Sequence, residues 1–207
     1  MTPEEFRTAG HALIDWIADF RSDIEQYPVK AQVKPGEVRA QFDPKAPEET
    51  VGFDELLSSL DRIVVPGMTH VQHPMFFGWF PANASLASVL GDLASSGLGG
   101  LGISWESAPA LTEVEEVVCE WMRQLTGLGE SWRGTIHDTA STSAVTALLV
   151  ARERATDLLQ NRGGLATAES SLVVYTTTQA HSSVAKAALL AGYGWDNIRN
   201  VDIDPVT

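Results

Sequence analysis

Apolar residues recur every three or four positions in several stretches of the chain, and this spacing predicts amphipathic helices. The first stretch runs from Phe6 to Ile24, and it follows Thr2, Pro3 and Glu5, which together are typical of a capped helix start. Further helices are predicted over 53–65, 84–96, 110–128, 141–160 and 182–191. The helix over 141–160 is expected to turn its apolar side chains inward, namely Val145, Leu148, Leu149 and Leu158.

Two short β-branched runs predict buried strands over 172–175 and 198–203, with a predicted helix between them. A strand, a helix and a second strand of these lengths form a βαβ unit, whose two strands are parallel. The sequence therefore predicts an α/β fold.

The segment 27–51 contains four prolines and is predicted to be an extended arm. Such an arm offers little surface to cover the apolar stripe of the preceding helix. We therefore expect the helix over 6–24 to pack across a second subunit.

Charge is distributed unevenly. Residues 63–105 hold a single charged residue, Asp92, and we expect this stretch to be buried under the rest of the fold, in a subunit interface or around a ligand. The net charge of −13 disfavours nucleic acid and anionic membranes as partners, because both need clustered Lys and Arg. A single cysteine and a start without an apolar leader run favour the cytoplasm.

Three short segments carry candidate chemistry. Thr139, Ala140 and Ser141 stand at a predicted helix start, where an anion such as phosphate can bind, although Thr and Ser are also ordinary caps. His181 follows a predicted strand at the edge where α/β proteins bind ligands, or it is structural. The aromatic run 76–80 belongs to the core or walls a flat apolar pocket. No metal site is expected, because Pro74 disrupts the helical spacing that His70 and His73 would need.

Several separated motifs, in order and at similar spacing, resemble the pyridoxal-phosphate-dependent group II amino-acid decarboxylases, particularly the aromatic-L-amino-acid decarboxylases. The motifs are His73-Pro74 with Phe80-Pro81, the runs 102–105 and 107–113, the helix 147–152 and the run 179–183. The resemblance implies the N-terminal part of a type I pyridoxal-phosphate-dependent transferase-like fold. In it, 1–83 would be a helical dimerisation arm and 84–207 the first part of the large cofactor-binding domain.

The same resemblance implies residue roles. His181 would stack on the ring of pyridoxal 5'-phosphate, and Thr139, Ala140 and Ser141 would hold its phosphate. The substrate pocket would be formed by residues from two subunits of a homodimer with shared active sites, namely Trp79, Phe80 and Pro81 from one and Leu101 and Ile103 from the other. Val71 stands where an aromatic residue is common in the family.

The family's Schiff-base lysine, its aspartate partner of the pyridine nitrogen and its catalytic tyrosine lie downstream of the segment that 171–203 match. None of the chain's lysines has that context; they are Lys30, Lys34, Lys45 and Lys186. The resemblance thus implies the N-terminal portion of a decarboxylase that acts on an aromatic L-amino acid and is inactive alone, with a separate C-terminal polypeptide as one way to complete it. An aldehyde synthase of the same family and a non-catalytic dimerisation fragment remain the alternatives.

Overall fold

The computed structural model describes residues 1–80, 84–168 and 171–204, which form helices and one small parallel sheet. In chain order the helices are α1 Pro3–Ser22, α2 Phe53–Ser59, α3 Leu86–Leu98, α4 Pro109–Leu125, α5 Ala140–Ala155 and α6 Ser183–Leu190. The strands are β1 Val174–Thr177 and β2 Ile198–Val201. The chain divides into two compact units, Met1–Leu98 and Gly99–Thr207. The domain boundary at 83/84 stays a prediction.

The first unit is organised around the C-terminal end of α1. The predicted capping box at its start is confirmed, with Thr2 and Glu5 each accepting a backbone N–H of the other. The apolar stripe is partly covered within the unit, because the ring of Phe20 packs on those of Tyr27 and His70. The expectation that the arm leaves the stripe uncovered is therefore corrected at this end of α1, while Phe6 near the other end remains exposed.

The helix predicted over 53–65 is present in three successive geometries. The α-helix α2 continues into a π-helical turn over Leu60–Val64 and a 3-10 turn over Val65–Gly67. The wider turn buries Ile63, and the tighter one buries Val65. A change of helical pitch thus turns both side chains into the interior of the unit.

The second unit contains the predicted βαβ motif, and the α/β fold is confirmed. β1 and β2 pair in parallel, with Val174 opposite Ile198. The buried cluster consists of Val174, Ala188, Ala191 and Tyr193. Four half-buried apolar side chains pack against this cluster, namely Leu148, Leu149, Leu172 and Ile198.

The last five residues of the helix predicted over 141–160 are corrected. α5 ends at Ala155, and the backbone then enters the left-handed region at Asp157 and Leu158, with φ of 52° and 58°. The helical path ends there, and Leu158 is exposed instead of facing the core. The helix predicted over 110–128 is present as α4, which stops at Leu125, and Gly127 shortly after it has a φ of +70°.

Burial of the weakly charged stretch 63–105 under the rest of this chain is confirmed at its start, where Ile63, Val65 and His70 are buried, and is corrected at α3. α3 has no buried residue, although it is largely apolar. Of the three explanations offered by the sequence, a subunit interface and a ligand remain. Among the described residues, no helix is both long and apolar enough to cross a membrane.

Candidate functional site

His181 lies between β1 and α6, past the carboxyl end of the strand as predicted. Its Nδ1 lies 2.9 Å from the hydroxyl of Ser183 and accepts the Ser183 backbone N–H at 3.3 Å. A ring nitrogen that accepts an N–H carries no proton, so we assign the neutral ring's proton to Nε2. Ser183 is buried, whereas His181 is exposed. The buried serine therefore orients an imidazole that is open to a ligand.

A cavity of about 220 Å³ lies beside His181. Its lining includes Thr176 and Thr177 at the end of β1, and Trp195 and Asn200 from the chain around β2. Hydroxyl, amide and aromatic groups thus meet at the carboxyl edge of the sheet, where α/β folds place their ligands.

The start of α5 offers backbone donors. Thr139 is the N-cap, its hydroxyl accepts the Thr142 N–H at 3.2 Å, and the Thr142 hydroxyl in turn accepts the Thr139 N–H at 3.3 Å. Ser143 donates the first helical hydrogen bond, to the Thr139 carbonyl. The N–H groups of Ala140 and Ser141 fall in the first turn, where an α-helix supplies no carbonyl partner. This end of α5 fits an anion such as a phosphate group.

Asp138 adds a negative charge at the same end of α5. Its carboxylate accepts the Thr142 hydroxyl, and this bond lowers the pKa of Asp138 below its ordinary value. Neither Ser183 nor Asp138 was among the residues predicted for the site. Two features of the sequence could have identified them. Ser183 carries a hydroxyl two positions after His181, and Asp138 is an acidic residue directly before the helix cap Thr139.

The aromatic segment before residue 81 is exposed. Phe80 is 98% accessible and Trp79 is 64% accessible, and the Trp79 ring meets Phe76 edge-on with centroids 5.0 Å apart. A Cβ at Gly78 would lie 3.0 Å from Phe76 Cζ, so glycine permits this close approach. Pro81, the third predicted wall residue, lies outside the described residues.

Leu101 and Ile103 lie on a loop that serine hydroxyls hold in shape. Ser107 donates from Oγ to the Leu101 carbonyl at 2.7 Å, and Ser104 Oγ accepts the Ser107 N–H at 3.3 Å. Leu101 and Ile103 are 60% and 79% accessible. An ordered loop that presents two apolar side chains to solvent is typical of a surface that another molecule covers.

The structure brings together only some of the predicted residues. His181 lines its cavity with the end of β1, and Thr139, Ala140 and Ser141 share the first turn of α5, but no described cavity is lined by both groups. Within 1–80, 84–168 and 171–204, no three His, Cys, Asp or Glu side chains are placed to hold a metal ion.

Comparison with known proteins gives a consistent picture. A family model described as the pyridoxal-dependent decarboxylase conserved domain matches residues 35–206. Phenylacetaldehyde synthase of Arabidopsis thaliana is 36% identical over all of this chain and 42% of its own length. Aromatic-L-amino-acid decarboxylase of Rattus norvegicus is 36% identical over 93% of this chain and 42% of its own length. The chain therefore spans about two fifths of these relatives.

A solved structure shows the same fold. The crystal structure of Oryza sativa TDC with PLP and tryptamine superposes with a TM-score of 0.87 at 32% identity. The superposition covers 100% of this chain and 47% of the rice chain.

Proposed function

The chain belongs to the pyridoxal-dependent decarboxylase family, and we propose that the complete enzyme converts an aromatic L-amino acid to its amine. The family match confirms the resemblance seen in the sequence and the pyridoxal cofactor that it implied. The observation that carries the proposal is His181, an exposed and oriented imidazole at the carboxyl edge of the sheet, beside a cavity. The relatives that match this chain include an aromatic-L-amino-acid decarboxylase.

The residues of this chain fit the cofactor. The first turn of α5 would hold the phosphate through the N–H groups of Ala140 and Ser141 and the Thr139 cap. The face of His181 would pack against the pyridine ring, with Ser183 fixing its rotation. When bound, pyridoxal phosphate accepts electrons from the substrate as the carboxyl group leaves as carbon dioxide.

The substrate would lie against apolar side chains. Trp79 and Phe80 are flat and exposed, and they suit the ring of an aromatic amino acid. Pro81 is proposed for the same wall. Leu101 and Ile103 would reach the pocket from the other subunit of a homodimer, which accounts for their exposure in a single chain.

Mixing two inactive variants tests whether the sites are shared. We expect His181→Ala and Ile103→Asp each to inactivate the complete enzyme, and their mixture to regain part of the activity. In a shared arrangement, a mixed dimer has one site with both defects and one site with neither. Unshared sites would leave one defect in every site of the mixed dimer, so an inactive mixture of confirmed heterodimers would contradict the proposal.

Size measurements test the dimer itself. An obligate interface of this kind buries more than ~2,000 Å² of largely apolar surface. We expect the complete enzyme to sediment as a dimer at submicromolar concentration. A fully active monomer would contradict the proposal.

We propose that the 207-residue chain is an N-terminal portion of the enzyme and is inactive by itself. Its four lysines, Lys30, Lys34, Lys45 and Lys186, are all exposed, whereas a lysine that bonds to the cofactor is activated by removal from water. The chain mixed with pyridoxal phosphate and borohydride should trap no stoichiometric adduct. A stoichiometric adduct on one lysine would overturn this claim. Intact masses of the preparation would also reveal a separate polypeptide that completes the fold.

An aldehyde synthase is the second candidate, because an Arabidopsis phenylacetaldehyde synthase matches the whole of this chain. Supplying the complete enzyme with an aromatic amino acid and identifying the product distinguishes the two. Amine supports the decarboxylase, and aldehyde supports the synthase. If neither amine nor aldehyde forms in a dimeric protein that holds the cofactor, the remaining alternative, a non-catalytic dimerisation module, is favoured.

We propose that the enzyme is located in the cytoplasm, because a single cysteine is typical of proteins in a reducing compartment.

A further inference from the structure

Arg152 is a buried cation that the proposed reaction does not use. It lies in the last turn of α5 and is only 9% accessible. Its Nη1 donates to the carbonyl of Ala191, the C-cap residue of α6, at 2.6 Å. Its Nε donates to Glu153 at 2.9 Å, and the other Glu153 oxygen accepts the Gln160 N–H. A buried guanidinium with this many partners holds a fixed geometry.

A second hydrogen bond joins the same two parts of the fold. The Tyr193 hydroxyl donates to the Leu148 carbonyl at 2.9 Å. Leu148 and Arg152 are four residues apart on α5, so they lie on one face of the helix. We call Arg152, Tyr193 and the carbonyls of Leu148 and Ala191 the α5–α6 clamp.

Gly192 makes the clamp possible. It has a φ of +83°, in the left-handed region that favours glycine. It lies between Ala191 and Tyr193, the two residues that bond to α5. A Cβ at this position would lie 2.3 Å from Leu165 Cδ1 and 3.9 Å from Arg152 Nη1. Any other residue would therefore be strained and would push on the side chains beside the clamp.

We propose that Arg152 and Tyr193 are positioning residues that set the phosphate-binding end of α5 relative to His181. The clamp joins the second half of α5 to the C-terminal end of α6. Thr139 to Ser141 lie at the opposite end of α5, and His181 lies just before α6 begins. Because helices move as rigid elements, bonds at one end of the pair determine the placement of groups at the other end.

The inference rests on the proposed function. Its test therefore compares how strongly the enzyme prefers pyridoxal phosphate over pyridoxal. We would measure the affinity of the complete enzyme for pyridoxal phosphate and for pyridoxal, which lacks the phosphate. The wild-type enzyme should prefer the phosphate form. Arg152→Met should lose about tenfold of that preference, and Tyr193→Phe should lose a smaller part of it, because the phosphate site no longer aligns with His181. Arg152→Lys, which keeps a cationic donor, should retain most of it.

Leu172→Ala is the matched control. Leu172 packs on the same core but makes no clamp bond, so its variant should lower the melting temperature and keep the cofactor preference. An unchanged preference in Tyr193→Phe and in a folded Arg152→Met would overturn the inference. The inference would also be overturned if Leu172→Ala lost as much of the cofactor preference as Arg152→Met. A wild-type enzyme that binds neither pyridoxal form would instead contradict the proposed function.

Discussion

The residues proposed for the cofactor and those proposed for the substrate lie in regions that differ in how they are supported. His181 follows a strand of a motif with its own buried core, and the hydroxyl of buried Ser183 orients its ring. Phe80 and Ile103 project into solvent at 98% and 79% accessibility. One region carries the interactions that hold its functional side chain, and the other does not.

The contrast extends to α6, which follows His181, and α3, which lies between Phe80 and Ile103 in the chain. α6 buries Ser183, Ala187 and Ala188, whereas α3 buries none of its residues and is also rich in small and apolar side chains. Similar composition thus leads to different burial, because α6 packs on α5. We infer that this chain itself holds in place the residues that it contributes to the cofactor half of the site, whereas its residues in the substrate half are completed by another surface.

The largest expected effect is on the cofactor half. His181→Ala in the complete enzyme should lower turnover by about 10²-fold or more, since the loss is one of positioning, and should leave the melting temperature unchanged. His11→Ala, at an exposed position of α1, is the control and should change neither the turnover nor the melting temperature. Near-normal turnover with a lower melting temperature would make His181 a structural residue.

Overpacking tests whether the two small helices differ in the assembled enzyme. Ala188 is 0% accessible, so Ala188→Leu should lower the free energy of unfolding by about 1–3 kcal/mol. Ala94→Leu, at an alanine of α3 that this chain leaves exposed, should lower it less, because the longer side chain meets no core of this chain. Thermal or denaturant unfolding measures both. An equal loss in the two variants would show that α3 is tightly packed in the assembled enzyme.

Truncation of Phe80 tests the substrate half. Phe80→Ala should raise KM for the aromatic substrate roughly tenfold, the equivalent of about 1.4 kcal/mol of binding. The melting temperature should not change, because Phe80 has no core contacts to lose. Phe42→Ala, at an exposed phenylalanine of the arm, serves as the control. Unaltered kinetics in Phe80→Ala would remove this residue from the pocket.

The smallest expected effect is a pH dependence in the first unit. His70 is 3% accessible, and burial, with a smaller contribution from nearby His73, lowers its pKa below the ordinary value. Below about pH 6.5 the unfolded chain therefore binds a proton that the folded chain does not, so the free energy of unfolding falls as the pH falls.

Melting temperatures at pH 7.5 and 5.5 measure this effect. His70→Gln cannot titrate and should show a smaller loss on acidification than the wild type. His11→Gln, at an exposed position, should behave like the wild type. Equal losses in the wild type and His70→Gln would show that His70 does not carry the dependence.

Local signals in the sequence were sufficient for much of the fold. The capping box of Thr2 and Glu5 and the helix end at Gly127 follow from interactions between near neighbours in the chain. The parallel pairing of β1 with β2 follows from the order strand, helix, strand. The family motifs likewise lie in short runs, which is why the cofactor and His181 could be named before the structure.

The sequence by itself determined which segments become helices and strands, because periodicity and caps act over a few residues. Only the tertiary structure decided which apolar faces are covered, since burial depends on partners distant in sequence. It buried Arg152 against Ala191, which lies 39 residues later in the chain, and left Leu158 exposed. It also left Phe80 and Ile103 exposed. A stretch with few charged residues indicates a surface that is shielded from water, but it does not indicate which other surface covers that stretch.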